Sequence, residues 1–108
     1  MNIKVKYWQT KAKQIAAAEG LKGLRFYPLD REAYYRSPMW MTGTFNRFSK
    51  SVTFCIRRYD NRSAMSNLLH ELAHAKDFEN RGWIREKQFH DKAFNREWDR
   101  LRRKYQWK

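Results

Sequence analysis

Apolar side chains recur at helical spacing in three segments of the chain, residues 4–19, 63–81 and 89–105. Their apolar stripes are Trp8, Ala12, Ile15 and Ala16; Met65, Leu68, Leu69, Leu72 and Ala73; and Phe94, Trp98, Leu101 and Tyr105. Residues three and four apart share one helical face, so each stripe predicts a helix with one buried side. Gly20 and Gly82 suit the ends of the first two helices, and Ser63 suits the start of the second.

Between the first two helices, an alternating pattern predicts short strands. Residues 24–29, LRFYPL, are expected to form a short strand, which Pro28 either places at a sheet edge or ends, because it lacks a backbone N–H group. Residues 39–58 are expected to form a hairpin whose turn is NRFSKS, and DREAYYRSP before it a loop or a single helical turn. The prediction is an α+β fold in one domain, 1–108, in which the helices pack on a small, mainly antiparallel sheet.

Composition narrows the class of protein. A chain of 108 residues can form one small core, and 42% hydrophobic and 17% aromatic residues argue against disorder. No apolar run is long enough to cross a bilayer, and the first residues lack the apolar segment of a secretory signal. Cys55 is the only cysteine, which excludes an internal disulfide and favours a reducing, cytoplasmic setting.

The chain is strongly basic, with 24 lysines and arginines against 11 acidic residues and a net charge of +13. This excess favours a polyanionic partner, most plausibly nucleic acid, although it could serve solubility alone. Arg96, Arg100 and Arg103 lie outside the apolar stripe of the last helix and are the candidate phosphate contacts. Because no base-reading module is recognisable, binding independent of sequence is expected. Trp40, Trp83 and Trp107 are either stacking platforms or core residues.

All three histidines fall in two short stretches, HELAH at 70–74 and FHDKAF at 89–94. His70 and His74 are four residues apart on a predicted helix, so both rings can bind one metal ion. Glu71, the next residue round the helix, can accept a proton from a metal-bound water without being a ligand. The alternative is a pair of histidines on a helix surface beside an acid.

His90 is the candidate third ligand. If it belongs to the last helix, it lies four residues before Phe94 on the apolar face, where a polar group needs a partner. Three protein ligands and an open fourth position are typical of catalytic zinc. The other candidate third ligands are the acids Asp77, Glu79 and Glu97, and His90 could instead be a core histidine bonded to backbone. An oxyanion-stabilising residue cannot be chosen among Tyr34, Tyr35, Tyr59 and the arginines.

The segments LLHELAHAKDF and HDKAF, together with MTGTFNRFSKSVTFCI before them, resemble the SprT-like family, which includes Spartan-like proteases that degrade DNA-crosslinked proteins. The likeness covers residues 39–98. It implies a minimal zincin-like fold in which His70, His74 and His90 bind one Zn²⁺ and Glu71 is catalytic. Asp91 stands where the family usually has glycine, and the family's frequent zinc ribbon is missing, so the chain resembles a short stand-alone form.

We therefore expect a zinc-dependent metallopeptidase that acts on DNA-associated proteins, in the cytoplasm, at the nucleoid or in a phage-infected bacterial host. The alternative is a non-catalytic, zinc-stabilised basic protein that binds nucleic acid or an acidic partner protein. Glu71 favours the enzyme, since a structural site has no use for it and has four protein ligands. No membrane association is expected, and the sequence does not indicate an oligomeric state.

Overall fold

The computed structural model describes residues 3–57, 61–82 and 90–107. Over these ranges the element order is α1 (Ile3–Ala18), β1 (Arg25–Leu29), β2 (Tyr34–Arg36), β3 (Met39–Met41), β4 (Gly43–Asn46), β5 (Ser51–Cys55), α2 (Asn61–Arg81) and α3 (Lys92–Tyr105). The α+β class and the three helices are as predicted. No helix in the described ranges is long and apolar enough to cross a membrane.

Helix α1 buries the face that its sequence pattern predicts, formed by Trp8, Ala12, Ile15 and Ala16. Gly20, with φ of 73°, ends it in a left-handed turn that glycine adopts without strain. The N–H of Leu21 donates to Ala16 O at 2.9 Å, and the Leu21 side chain joins the core. The chain therefore turns from α1 directly towards the sheet.

The main sheet has the strand order β1-β5-β4. Strand β1 pairs with β5 in parallel, with Phe26 opposite Val52, and β4 pairs with β5 in an antiparallel register, with Gly43 opposite Phe54. Of the two predicted outcomes for the strand with Pro28, the structure shows the edge position, where the missing N–H group costs no sheet hydrogen bond. Strand β2 pairs with β3 in a separate antiparallel sheet, so two of the three strand pairings in the described residues are antiparallel.

The prediction for residues 30–38 was wrong. They contain β2, which pairs with β3 in a separate two-stranded sheet, with Tyr35 opposite Trp40. The predicted first strand of the long hairpin is consequently divided, because β3 turns back onto β2 while β4 pairs with β5. Alternation alone could not reveal the division, since it runs unbroken through Thr42.

Helix α2 begins at Asn61, so the prediction that Ser63 caps it was wrong, and Ser63 lies within the first turn. The helix ends as predicted at Gly82, whose φ is 71° and whose N–H donates to Phe78 O at 2.7 Å. The predicted stripe packs in the core, with Leu68, Leu69, Leu72 and Ala73 fully buried and Met65 half-buried.

Helix α3 begins at Lys92, after the N-cap residue Asp91, whose carboxylate accepts the N–H of Phe94 at 3.0 Å. The predicted start at Phe89 lies outside the described residues, but His90 precedes the helix, so its placement on the helix was wrong. An N-cap aspartate satisfies a free N–H of the first turn, and this sets the boundary after residue 91. The predicted apolar face is confirmed, with Phe94 and Leu101 buried and Trp98 and Tyr105 packed against the core.

Glu19 joins α1 to α3. Its buried carboxylate accepts hydrogen bonds from Arg100 Nη2 at 2.6 Å, Lys104 Nζ at 2.9 Å and the Tyr105 hydroxyl at 2.6 Å. Burial alone would raise the pKa of Glu19, but the hydrogen bonds from Arg100, Tyr105 and Lys104 outweigh it and hold the pKa at about 2. The ionised form of this carboxylate therefore stabilises the fold.

We predict that Glu19→Gln lowers the free energy of unfolding at pH 7 by about 1–3 kcal/mol, because charge-assisted hydrogen bonds to buried oxygens are lost. The pKa of Glu19 in the folded state is about 2, below its ordinary value of 4.5. The contribution of its charge to stability is therefore complete above pH 4.5 and disappears as the pH falls towards 2. Urea unfolding from pH 7 to pH 2 measures it, with the exposed Glu79→Gln as control. A difference from the unsubstituted chain that stays constant over this range would contradict the prediction.

Candidate metal centre

Three histidines from two elements converge at one point. His70 and His74 lie one turn apart on α2 with ring centroids 4.9 Å apart, and His90, just before α3, brings its ring centroid to 4.7 Å from that of His70 and 5.2 Å from that of His74. One ligand nitrogen from each residue lies within 4.8 Å of the others. The prediction that these three histidines meet is thus confirmed, although His90 reaches the cluster from the segment before the helix.

The nitrogen geometry suits one small cation. His70 Nε2 lies 3.0 Å from His90 Nε2, and two nitrogens that share a tetrahedral zinc with bonds of about 2.0–2.1 Å are roughly 3.3 Å apart. Burial is the main cause that lowers the pKa of His74 to about 3, and the charges of the nearby His70 and His90 lower it further. Burial also lowers the pKa of His90, with a further contribution from His70. His74 is therefore neutral at pH 7, which is the form that binds metals.

Aromatic rings hold the histidine rings in place. Phe94, which is buried, stacks on His74 with centroids 4.2 Å apart and on His90 with centroids 4.7 Å apart. The Trp98 ring meets His70 edge-on at 4.7 Å. The apolar face of α3 therefore serves both as core and as the floor of the cluster, which restricts the ring rotamers before any ion binds.

Glu71 is buried beside the cluster, with a residue exposure of only 3%. Its Oε2 accepts a hydrogen bond from His70 Nδ1 at 3.0 Å, which leaves His70 Nε2 directed towards His90. Burial raises the pKa of the Glu71 carboxyl, and the hydrogen bond and charge of His70 oppose that shift. A carboxylate in this position orients the imidazole and makes it a better ligand.

The space for Glu71 exists because residue 43 is glycine. A Cβ atom on Gly43 would lie 2.7 Å from Thr53 O and 2.9 Å from both Cγ and Oε2 of Glu71. Any other residue would therefore displace the carboxylate or separate β4 from β5. No role was predicted for Gly43, although a glycine inside a strand is itself a sign of close approach by another group.

The acids considered as alternative third ligands do not belong to the cluster. Asp77 accepts two hydrogen bonds from Arg81, at 2.6 and 2.7 Å, and Glu97 accepts one from Arg100 Nε at 3.1 Å. Glu79 is exposed on the last turns of α2. In the described part of the chain the histidines are the only group of three or more potential ligands that meets this spacing.

The cations of α3 differ in their surroundings. Arg96 and Arg103 are exposed, whereas Arg100 is paired with Glu19 and Glu97. Arg96 and Arg103 therefore stay candidate phosphate contacts, whereas Arg100, although partly exposed, already has two carboxylate partners, of which Glu19 is buried. Arg102 also packs over the rings of Trp98 and Trp107, 3.9 and 4.5 Å from their centroids.

The remaining aromatic candidates are dispersed. Trp40 is exposed on β3 and contacts Tyr35 edge-on at 5.6 Å, and Trp107 lies at the end of the described chain under Arg102. The Tyr34 hydroxyl lies 3.4 Å from Thr53 Oγ1. Trp83 and Tyr59 fall outside the described residues.

Comparison with known proteins identifies no relative of this chain. No protein-family model, no curated protein and no solved structure matches the chain.

Proposed function

We propose that this chain is a zinc-dependent metallopeptidase with a minimal zincin-like fold, in which His70, His74 and His90 hold one Zn²⁺. The observation that carries the proposal is the meeting of three histidine nitrogens within 4.8 Å beside a buried carboxylate, Glu71. Three histidine ligands leave a fourth position for water or substrate, as in catalytic rather than structural zinc sites.

When bound, zinc would supply a Lewis acid and lower the pKa of a coordinated water to about 7. Glu71 is the residue that takes a proton from the attacking water at a carboxylate oxygen and later passes it to the leaving amine. Burial raises the pKa of Glu71, which brings it closer to that of the water and eases the transfer. Phe94 and Trp98 pack against the histidine rings from the α3 side.

The second candidate function is a non-catalytic, zinc-stabilised protein that binds nucleic acid or an acidic partner protein. It is favoured by the contact of Glu71 with His70 Nδ1, since a carboxylate that only orients a ligand would make the same hydrogen bond. The net charge of +13 supports a polyanionic partner in both cases. Under the enzymatic proposal, binding to DNA would bring the peptidase to proteins associated with it.

The metal assignment predicts one zinc per chain and a strong loss of zinc in His90→Ala, because the remaining pair of histidines offers only two protein ligands. Metal analysis of the purified protein by mass spectrometry measures the stoichiometry. Glu97→Gln, which changes a rejected candidate ligand near the start of α3, is the matched control and should retain zinc. Full occupancy in His90→Ala would remove His90 from the ligand set.

For the catalytic role, we predict that Glu71→Gln keeps zinc and fold but lowers the rate of peptide hydrolysis by about 10²–10⁴-fold, since the amide cannot accept the proton. Hydrolysis of an unfolded protein substrate, with and without DNA, measures the rate. Glu79→Gln, on the same helix, should leave the rate unchanged. Loss of zinc in Glu71→Gln, or no hydrolysis by the unsubstituted chain in any of these assays, would favour the binding protein.

A third prediction concerns nucleic acid. Arg96 and Arg103 are exposed and seven residues apart, so they share one face of α3. Arg96→Glu with Arg103→Glu should weaken binding to unrelated DNA sequences by similar factors and reduce the salt dependence, whose log–log slope is about −0.9 per phosphate contact on duplex DNA and about −0.7 on single strands.

The matched control for this prediction is Lys6→Glu with Lys13→Glu, which makes the same change of charge at two exposed lysines of α1. Titration of duplex and single-stranded DNA at low salt compares the two variants, and zinc content should be unchanged in both. Equal weakening by the two pairs would show that net charge, rather than α3, determines binding. Absence of any binding by the unsubstituted chain would exclude DNA as the partner.

A further inference from the structure

Arg81 lies between two carboxylates where α2 ends and α3 begins. Its guanidinium donates to Asp77 Oδ1 and Oδ2 at 2.6 and 2.7 Å, and to Asp91 Oδ2 and Oδ1 at 2.9 and 3.0 Å. We refer to Asp77, Arg81 and Asp91 as the Arg81 cluster. Asp77 is buried, so the pairing is shielded from solvent more than an ordinary surface ion pair. The planar guanidinium of Arg81 donates two hydrogen bonds to each carboxylate, so both the distance and the orientation of Asp77 and Asp91 relative to Arg81 are fixed.

The Arg81 cluster is continuous with the candidate metal ligands. His70, His74, Asp77 and Arg81 are spaced by four, three and four residues, so they form one stripe along α2. This stripe faces the start of α3, where His90 meets His70 and Asp91 meets Arg81. His90 and Asp91, which are consecutive, thus each contact a residue of this one stripe of α2, His70 and Arg81 respectively.

His90 needs such support. Its φ is 32°, in the left-handed region that residues with a side chain rarely adopt, and it precedes the helix. Asn95 Nδ2 donates to the His90 carbonyl at 3.1 Å, and Asp91 Oδ1 accepts the N–H of Phe94 at 3.0 Å. These contacts fix His90 relative to α3. Arg81 ties Asp91, the residue between His90 and α3, to α2 through its carboxylate.

We propose that Arg81 is a positioning residue that fixes His90 against His70 and His74 by holding Asp91, with Asp77 fixing the guanidinium in turn. The proposal rests on the proposed metal site and deepens it. Arg81 touches neither the ion nor the substrate, and its effect is transmitted through the Asp91 backbone. The third ligand is thereby held in place before metal binds, so the entropy of ordering that segment is not lost on binding.

The test is a double-mutant cycle on the full chain, with zinc affinity measured by competition against a chromophoric chelator. Arg81→Ala should lower the affinity by about 10–100-fold, as is typical when a residue that supports a ligand is lost. Arg81→Lys should recover only part of it, because an ammonium cannot bridge two carboxylates in a plane. In a His90→Ala background, Arg81→Ala should cause no further loss.

Arg100→Ala is the matched control, since Arg100 also ties α3 to another part of the chain, through the carboxylate of Glu19, but lies far along α3 from His90. It should lower stability and leave zinc affinity unchanged. If Arg81→Ala does not fold, Asp91→Asn replaces it in the cycle, because asparagine keeps the N-cap for Phe94 and removes the charge that Arg81 holds. No loss of affinity, or an equal loss with and without His90, would overturn the proposal.

A measurement on the metal-free protein separates this proposal from the metal assignment. Nuclear Overhauser contacts between the rings of His70 and His90, whose centroids are 4.7 Å apart, should be present in the unsubstituted chain and in Arg100→Ala, and lost in Arg81→Ala. Their persistence in Arg81→Ala would overturn the positioning role whatever the metal content. Their loss in Arg81→Ala, in a chain that binds no zinc, would sustain the positioning role and refute the metal site.

Discussion

The packing of α2 between the sheet and α3 is the constraint on which the candidate site depends. One side of α2 meets the sheet, where Asn67 Nδ2 donates to Cys55 O at 2.9 Å and Phe78 contacts the Phe45 ring at 6.1 Å. The other side meets α3 through the histidines and Arg81. Each polar residue that α2 buries between these two sides therefore requires a specific partner.

Glu71 illustrates the consequence. It lies where α2 approaches β4, and the missing side chain of Gly43 leaves room for its carboxylate. Burial raises the pKa of Glu71 and lowers that of His74, because removal of water disfavours the charged form of each group. A raised pKa makes the ionised carboxylate a stronger base, and a neutral imidazole is the form that binds metals.

The acidic residues of this basic chain serve mainly as structural partners where the structure describes them. Glu19 and Glu97 engage Arg100, and Asp77 and Asp91 engage Arg81. Each of these sites joins two helices or stabilises a helix end. The net charge of +13 is therefore not spread evenly over surface arginines, because several of the cations nearest the core already have carboxylate partners. This separates Arg96, which is exposed, from Arg100, which is half-buried and paired with Glu19 and Glu97.

The sequence by itself determined the three helices, their apolar stripes and the histidine set, because periodicity and i,i+4 spacing are properties of one element. It also predicted that Pro28 would lie at a sheet edge or end its strand. Only the tertiary structure decided that β2 pairs with β3, that His90 precedes α3, and that Gly43 admits Glu71. It likewise decided that Arg81 holds Asp91 and that Arg100 is paired with Glu19. Each of these depends on which elements meet and in which register, and residues 81 positions apart, such as Glu19 and Arg100, leave no local pattern in the chain.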